Sequence, residues 1–199
     1  MGVIRKQNAL SNLPVREAMR RQVITTPAAA DLDRAIGRFI KYKVNALLVT
    51  DEADQPAGVL SKTDIMGAYY AGLPIETRVE DIMISPPLFC RADDPLEAAL
   101  EQMRENGVYR LYVMEEDRLA GALAYPDIVG LLYRFCRECR YSRGRKKRGD
   151  REPLRFTVRE VMTPSVSGYP REAPLVEIME GLSAYRFGAV LIRDDAGRP

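Results

Sequence analysis

Gly58-Val-Leu-Ser-Lys-Thr-Asp64 is the stretch on which the reading of this chain turns. Val59 and Leu60 read as the buried end of a strand, and Ser61 opens a helix that continues through Ile65, Met66 and Tyr69. Gly58 permits close approach of another backbone. A helix start presents unpaired amides and the positive end of the helix dipole, which suit a phosphate. Asp64, one turn inside, is placed to accept hydrogen bonds from a ribose diol, and Lys62 adds a mobile positive charge. The same residues also satisfy a capping box, in which Ser61 holds the Asp64 amide and Asp64 reaches back to the Ser61 amide. Both readings stand on these seven residues; repetition along the chain separates fold from function.

Upstream, a lead-in recurs three times: Val15-Arg-Glu-Ala-Met19, Val79-Glu-Asp-Ile-Met83 and Val158-Arg-Glu-Val-Met162. Each reads as a short helical turn before an extended stretch containing proline. An amphipathic helix follows in each copy, marked by Leu32, Ala35, Ile36, Phe39 and Ile40, by Leu96, Ala99, Leu100 and Met103, and by Leu175, Ile178, Met179 and Leu182. A strand comes next, Ala46–Thr50, Arg110–Met114 and Ala189–Ile192, and an acidic turn predicts a hairpin after each. Two copies then add a second strand and helix: Gly58 to Gly72, and Gly121-Ala-Leu-Ala-Tyr-Pro-Asp127 with a helix through Ile128, Leu131, Leu132 and Phe135. A period near 60 residues means one supersecondary unit copied. The third copy reaches only Pro199, the counterpart of Pro56, so the expectation is a fragment or a half-built last unit.

With 199 residues, 46% of them hydrophobic, the chain can bury one or two cores. Its net charge of +2 hides a basic segment: from Arg134 to Arg155 there are ten Lys/Arg against three acids. No apolar run is long enough for a membrane span, and the N-terminus lacks a signal-peptide core, so the expected location is cytoplasmic. Three cysteines, Cys90, Cys136 and Cys139, are too few for a disulfide framework. Histidine is absent, which removes the commonest general base and metal ligand, and no nucleophile or acid/base set is evident, so neither catalysis nor a metal site is expected.

The β-α-β-β-α unit with its Gly-h-h-(Ser/Thr)-x-x-Asp ending resembles the CBS domain, named after cystathionine β-synthase. The resemblance predicts an α/β (α+β) protein of tandem CBS domains, paired pseudo-symmetrically through their sheets into a Bateman module. Its parts are an arm at 1–13, domains at 14–73 and 74–136, a basic linker at 137–157 and an incomplete third domain at 158–199. Such pairs leave two clefts that often hold adenosine nucleotides or S-adenosylmethionine. For the first cleft the resemblance implies Asp64 as ribose acceptor and phosphate roles for Ser61, Lys62 and Thr63. Val44, Asn45 and Ala46 would meet the adenine, with Gly58 and Leu60 lining the approach. In the second, Asp127 is kept, but Ala124 replaces the hydroxyl and Pro126 the threonine, which weakens the site. Arg110 matches a position where basic residues reach phosphates, beside Tyr109 and Leu123.

The implied function is ligand sensing: AMP, ADP, ATP or S-adenosylmethionine shifts the module and a partner reads the shift, with no required cofactor. The uncovered third unit predicts self-association, most simply a homodimer. A second reading is a nucleic-acid or acidic-partner adaptor acting through residues 140 to 148, with Arg143, Arg145, Lys146, Lys147 and Arg148 on phosphates. A third is a structural dimerisation module with empty clefts. Cys136-Arg-Glu-Cys139, a C-x-x-C at a helix end, reads as chance placement, since a zinc site needs further ligands.

Overall fold

The computed structural model describes residues 13–142, 159, 162, 165–184 and 189–198. Two compact units form, both discontinuous in sequence: residues 25–85 with 149–199, here the first unit, and residues 1–24 with 86–148, the second.

In the first unit β1 (Thr25–Pro27), α1 (Leu32–Tyr42), β2 (Ala46–Thr50), β3 (Pro56–Ser61) and α2 (Lys62–Tyr70) follow the expected order. β2 lies between β1, to which it is parallel, and β3, to which it is antiparallel. The Asp31 carboxylate caps α1 by accepting from the Arg34 amide at 2.9 Å, and Lys43 ends it in the left-handed region at φ 52°. Leu32, Ala35 and Phe39 are buried under α1, whereas Ile40, expected in the same stripe, is 72% exposed. One residue beyond Phe39 turns the helix by about 100°, which carries Ile40 off the packed face.

The second unit repeats the plan with β4 (Phe89–Arg91), α3 (Leu96–Glu105), β5 (Arg110–Glu115), β6 (Arg118–Ala124) and α4 (Tyr125–Ser142). Strand order and directions match those of the first unit. Its core gathers Val15, Leu96, Met103, Leu111, Val113, Leu123, Ile128 and Leu131. Helix α4 runs on to Ser142, so the first residues of the expected linker at 137–157 are helical.

The lead-ins are exchanged between repeats. Val15 and Arg16 donate their amides to the carbonyls of Asp94 and Ala92 at 2.9 and 3.0 Å, and Arg20 pairs both ways with Ala122 of β6, at 2.9 Å each way. Val79 and Glu80 do the same with Ala30 and Ala28, while Ile84 pairs with Val59 of β3 at 2.8 and 2.9 Å. Each lead-in begins as a 3-10 turn, Val15–Glu17 and Val79–Asp81, whose valine is fully buried. The sequence boundaries 14–73 and 74–136 follow the repeats; the packing crosses them at both lead-ins.

The third copy supplies β7 (Gly168–Pro170), α5 (Leu175–Ala184) and β8 (Leu191–Arg193), with β7 and β8 parallel and α5 packed on α2. The strand expected at Ala189–Ile192 forms at Leu191–Arg193, in register with β7. Its acidic turn copies that of the first: Asp51 accepts from the Ala53 and Gln55 amides, and Asp194 from those of Ala196 and Arg198. Most of the third lead-in, the arm at 1–12, the side chains of Phe135, Cys136 and Cys139 and the run Arg143, Arg145, Lys146, Lys147 and Arg148 lie outside the described residues. Among the described residues no helix is long and apolar enough to cross a membrane, and no group of three or more His, Cys, Asp or Glu is placed to hold a metal.

Candidate functional site

The junction of β3 and α2 is fixed by its neighbours. A Cβ on Gly58 would lie 2.5 Å from Met83 Sδ and 3.0 Å from the Ile84 carbonyl, so glycine is what lets the exchanged lead-in lie against β3. Ser61 has extended backbone and serves as the N-cap of α2. The capping box forms in full: the Ser61 amide donates to Asp64 Oδ2 at 2.7 Å, and the Asp64 amide donates to Ser61 Oγ at 3.3 Å. The Ser61 hydroxyl also donates to Asp64 Oδ2, at 2.7 Å.

These bonds revise the picture of a helix start with free amides. The Lys62 amide is taken by the Asn45 carbonyl at 3.2 Å, and Lys62 Nζ donates to Asn45 Oδ1 at 3.2 Å. Thr63, exposed, holds the first-turn amide and hydroxyl without a described partner. Asp64 Oδ1 is likewise without a hydrogen bond among the described residues. The start of α2 thus offers a carboxylate oxygen, a hydroxyl, an amide and a lysine held at its edge: acceptors for a diol and donors for an anion. Leu60 is fully buried, so any contact from it comes through its backbone, whereas Val44 and Ala46 are half-buried and Asn45 is exposed.

The start of α4 is the same turn with other chemistry. The Ala124 amide donates to Asp127 Oδ2 at 3.0 Å, as Ser61 does to Asp64. The other oxygen, Oδ1, accepts from Arg20 Nε, and the Asp127 side chain is only 6% exposed. Arg20 stands where Ile84 stands in the first unit, paired to the middle of the second hairpin strand. Tyr125 and Tyr109 replace Lys62 and Asn45, their rings meeting edge to face at 6.0 Å. Arg110 lies beside the Tyr112 phenol, two residues along the same face of β5; burial pushes that phenol's pKa up and the nearby guanidinium pulls it partly back. Leu123 is fully buried in the core. Sequence reasoning missed Arg20 because the residue sits some hundred positions from Asp127 and its strand partner belongs to the other repeat.

A family model described as CBS domain matches residues 15–71 and 79–134. Protein MJ1225 of Methanocaldococcus jannaschii is 28% identical over 124 residues, which is 62% of this chain and 44% of that protein. The inosine-5'-monophosphate dehydrogenase of the same organism is 29% identical over 115 residues, 57% of this chain and 22% of the dehydrogenase. The chain spans less than two thirds of the length of these relatives. Among solved structures, the CBS domain protein PAE2072 of Pyrobaculum aerophilum complexed with AMP superposes with a TM-score of 0.56 at 22% identity, covering 63% of this chain and 99% of that one. The CBS domain pair of protein MJ0100, in complex with 5'-methylthioadenosine and S-adenosyl-L-methionine, gives 0.56 at 21% identity, covering 62% and 98%. At these identities the superpositions establish the fold.

Proposed function

The chain belongs to the CBS-domain family, and from that premise we propose that it is a regulatory, non-catalytic module sensing an adenosyl ligand: an adenine nucleotide (AMP, ADP or ATP) or S-adenosylmethionine. The observation that carries this reading is Asp64 Oδ1 at the start of α2, without a hydrogen bond among the described residues, with Thr63 and Lys62 beside it. An ionised carboxylate accepts both hydroxyls of a ribose, and the flanking donors suit the anionic or polar end of such a ligand. The AMP and S-adenosyl-L-methionine complexes of proteins with this fold support the ligand class. The matched stretch of the dehydrogenase, a minor part of that enzyme, supports a regulatory role over a catalytic one. A ligand acts here only through its preference for one conformation over another, and the size of that preference bounds the effect.

Calorimetric titration of AMP, ADP, ATP and S-adenosylmethionine tests the reading. Saturable binding by at least one, lost in Asp64→Ala, is the expected result; no heat from any of the four would leave Ser61 and Asp64 as a helix cap and no more. Self-association belongs to the same proposal, supported by Leu175 and Val176, which stay 70% and 51% exposed although α5 packs on α2. Sedimentation velocity at a chain concentration on the order of tens of micromolar checks it, and a single monomer boundary would sink it.

A further inference from the structure

We infer that Arg20 is a built-in competitor for the second carboxylate, closing the start of α4 to a ribose and making this chain a one-ligand module. The inference rests on reading the two aspartates as ribose acceptors. It deepens that reading by assigning occupancy and a specificity determinant.

The first observation is the comparison of oxygens. Asp64 and Asp127 each spend Oδ2 on the amide that precedes their helix, at 2.7 and 3.0 Å. In the first unit Oδ1 has no hydrogen bond among the described residues. In the second it accepts from Arg20 Nε, and the carboxylate is buried to 6% exposure. A diol approaching Asp127 meets a buried side chain already engaged by a charge-assisted hydrogen bond, about twice as strong as a neutral one, and must compete with it.

The second observation is how Arg20 is held. Its amide and carbonyl pair with Ala122 at 2.9 Å each, and Gly121 lets its carbonyl approach so closely that a Cβ there would lie 2.3 Å from that oxygen. The backbone of Arg20 is therefore held by its bridge to β6, and its side chain reaches Asp127 from there. The Arg20 side chain remains 66% exposed, so water competes for its bond to Asp127.

The third observation concerns what remains around Asp127. Ala124 has no hydroxyl, Pro126 has no amide, and the neighbouring pair is Tyr109 on Tyr125. This apolar, aromatic edge suits the nucleoside part of a ligand better than a phosphate. Adenosine itself, uncharged, is thus the appropriate probe, because its affinity does not change merely with the charge removed at residue 20.

Equilibrium titration of adenosine decides the matter, in the unaltered chain, Arg20→Ala, Arg20→Lys and each combined with Asp64→Ala or Asp127→Ala. Arg20 is mostly exposed and its bonds to β6 are backbone bonds, so Arg20→Ala keeps the lead-in in place; Arg20→Gln serves as the second variant. The expected outcome is one site per chain in the unaltered protein, lost with Asp64→Ala, and a second site in Arg20→Ala that is lost with Asp127→Ala. Affinity at the second start should rise by about tenfold or more, the scale of one charge-assisted hydrogen bond, and Arg20→Lys should fall between. One site in both the unaltered chain and Arg20→Ala overturns this inference and leaves the Asp64 reading standing. No site in the unaltered chain but an Asp127-dependent site in Arg20→Ala sustains the inference and overturns the Asp64 reading. An Asp127-dependent site already present in the unaltered chain overturns the inference, and absence of any site throughout overturns both.

Discussion

At the start of α2, Asp64 has one carboxylate oxygen in the capping box and one without a hydrogen bond among the described residues, with Ser61, Lys62 and Thr63 around it. At the start of α4, Asp127 has one oxygen on the preceding amide and the other on Arg20, with Ala124, Tyr125 and Pro126 around it. The bond common to both, carboxylate to preceding amide, is the structural part of the aspartate's work: it satisfies an orphan donor where a strand becomes a helix. What differs is the second oxygen and the side chains beside it, and that is where ligand chemistry resides. A retained aspartate therefore reports a retained turn; whether it binds depends on what engages its other oxygen and on the side chains beside it.

The largest expected effect follows from that distinction. Asp64→Ala should weaken adenosyl ligand binding by about a hundredfold or more, since two hydrogen bonds to an ionised group are lost. Asp127→Ala should leave that binding within about twofold, because Asp127 already has its partners. Equal losses in calorimetry would erase the difference between the two starts.

A smaller effect separates the two glycines that admit the lead-ins. A Cβ on Gly121 would meet the Arg20 carbonyl oxygen at 2.3 Å, a backbone atom of a residue whose amide and carbonyl are both paired with Ala122. On Gly58 the nearest atom is Met83 Sδ at 2.5 Å, the yielding part of a flexible side chain, with the Ile84 oxygen at 3.0 Å. Gly121→Ala should cost about 2 to 3 kcal/mol and Gly58→Ala about 1 kcal/mol, measured by urea unfolding. The reverse order would mean that the two lead-ins are not held alike.

The repeat, its β-α-β-β-α order and the cap at Ser61 were legible because they rest on local pattern: hydrophobic period, acidic turns and an S-x-x-D spacing. The exchange of lead-ins was not. Val15 and Val79 carry identical local signals, and nothing in either stretch says which sheet will accept it. Arg20 was invisible for the same reason, since an arginine beside Met19 reads as a solvated charge until its strand partner is known. The length of α4 was misjudged because Cys136 to Ser142 have no breaker and the basic composition reads as linker. The start of β8 slipped because its apolar run begins before its pairing with β7 does.

The smallest effect lies at Thr26 and Cys90, which occupy the same register, opposite Val49 and Val113. Thr26 is fully buried and its Oγ1 has no hydrogen-bond partner among the described residues. Thr26→Val keeps the shape and removes the unpaired hydroxyl, so it should stabilise the chain by about 1 kcal/mol. Cys90 puts a less polar group in the equivalent place. Burial first, and Asp94 second, push its thiol pKa up to about 11 from 9.0. Above the unfolded value the unfolded chain releases a proton that the folded chain keeps. The stability Cys90 contributes is thus fully present below about pH 9 and is lost as the pH rises towards 11. Tyr112, whose pKa burial also raises, acts in the same direction above its own unfolded value of 10.0. Urea midpoints at pH 8 and pH 10 should therefore fall further apart in the unaltered chain than in Cys90→Val, and Thr26→Val should raise both midpoints equally. If Cys90→Val leaves the alkaline slope unchanged, the thiol is not sheltered as its position on β4 requires. If Thr26→Val destabilises, its hydroxyl has a partner, and the two strands differ in hydrogen bonding as well as in sequence.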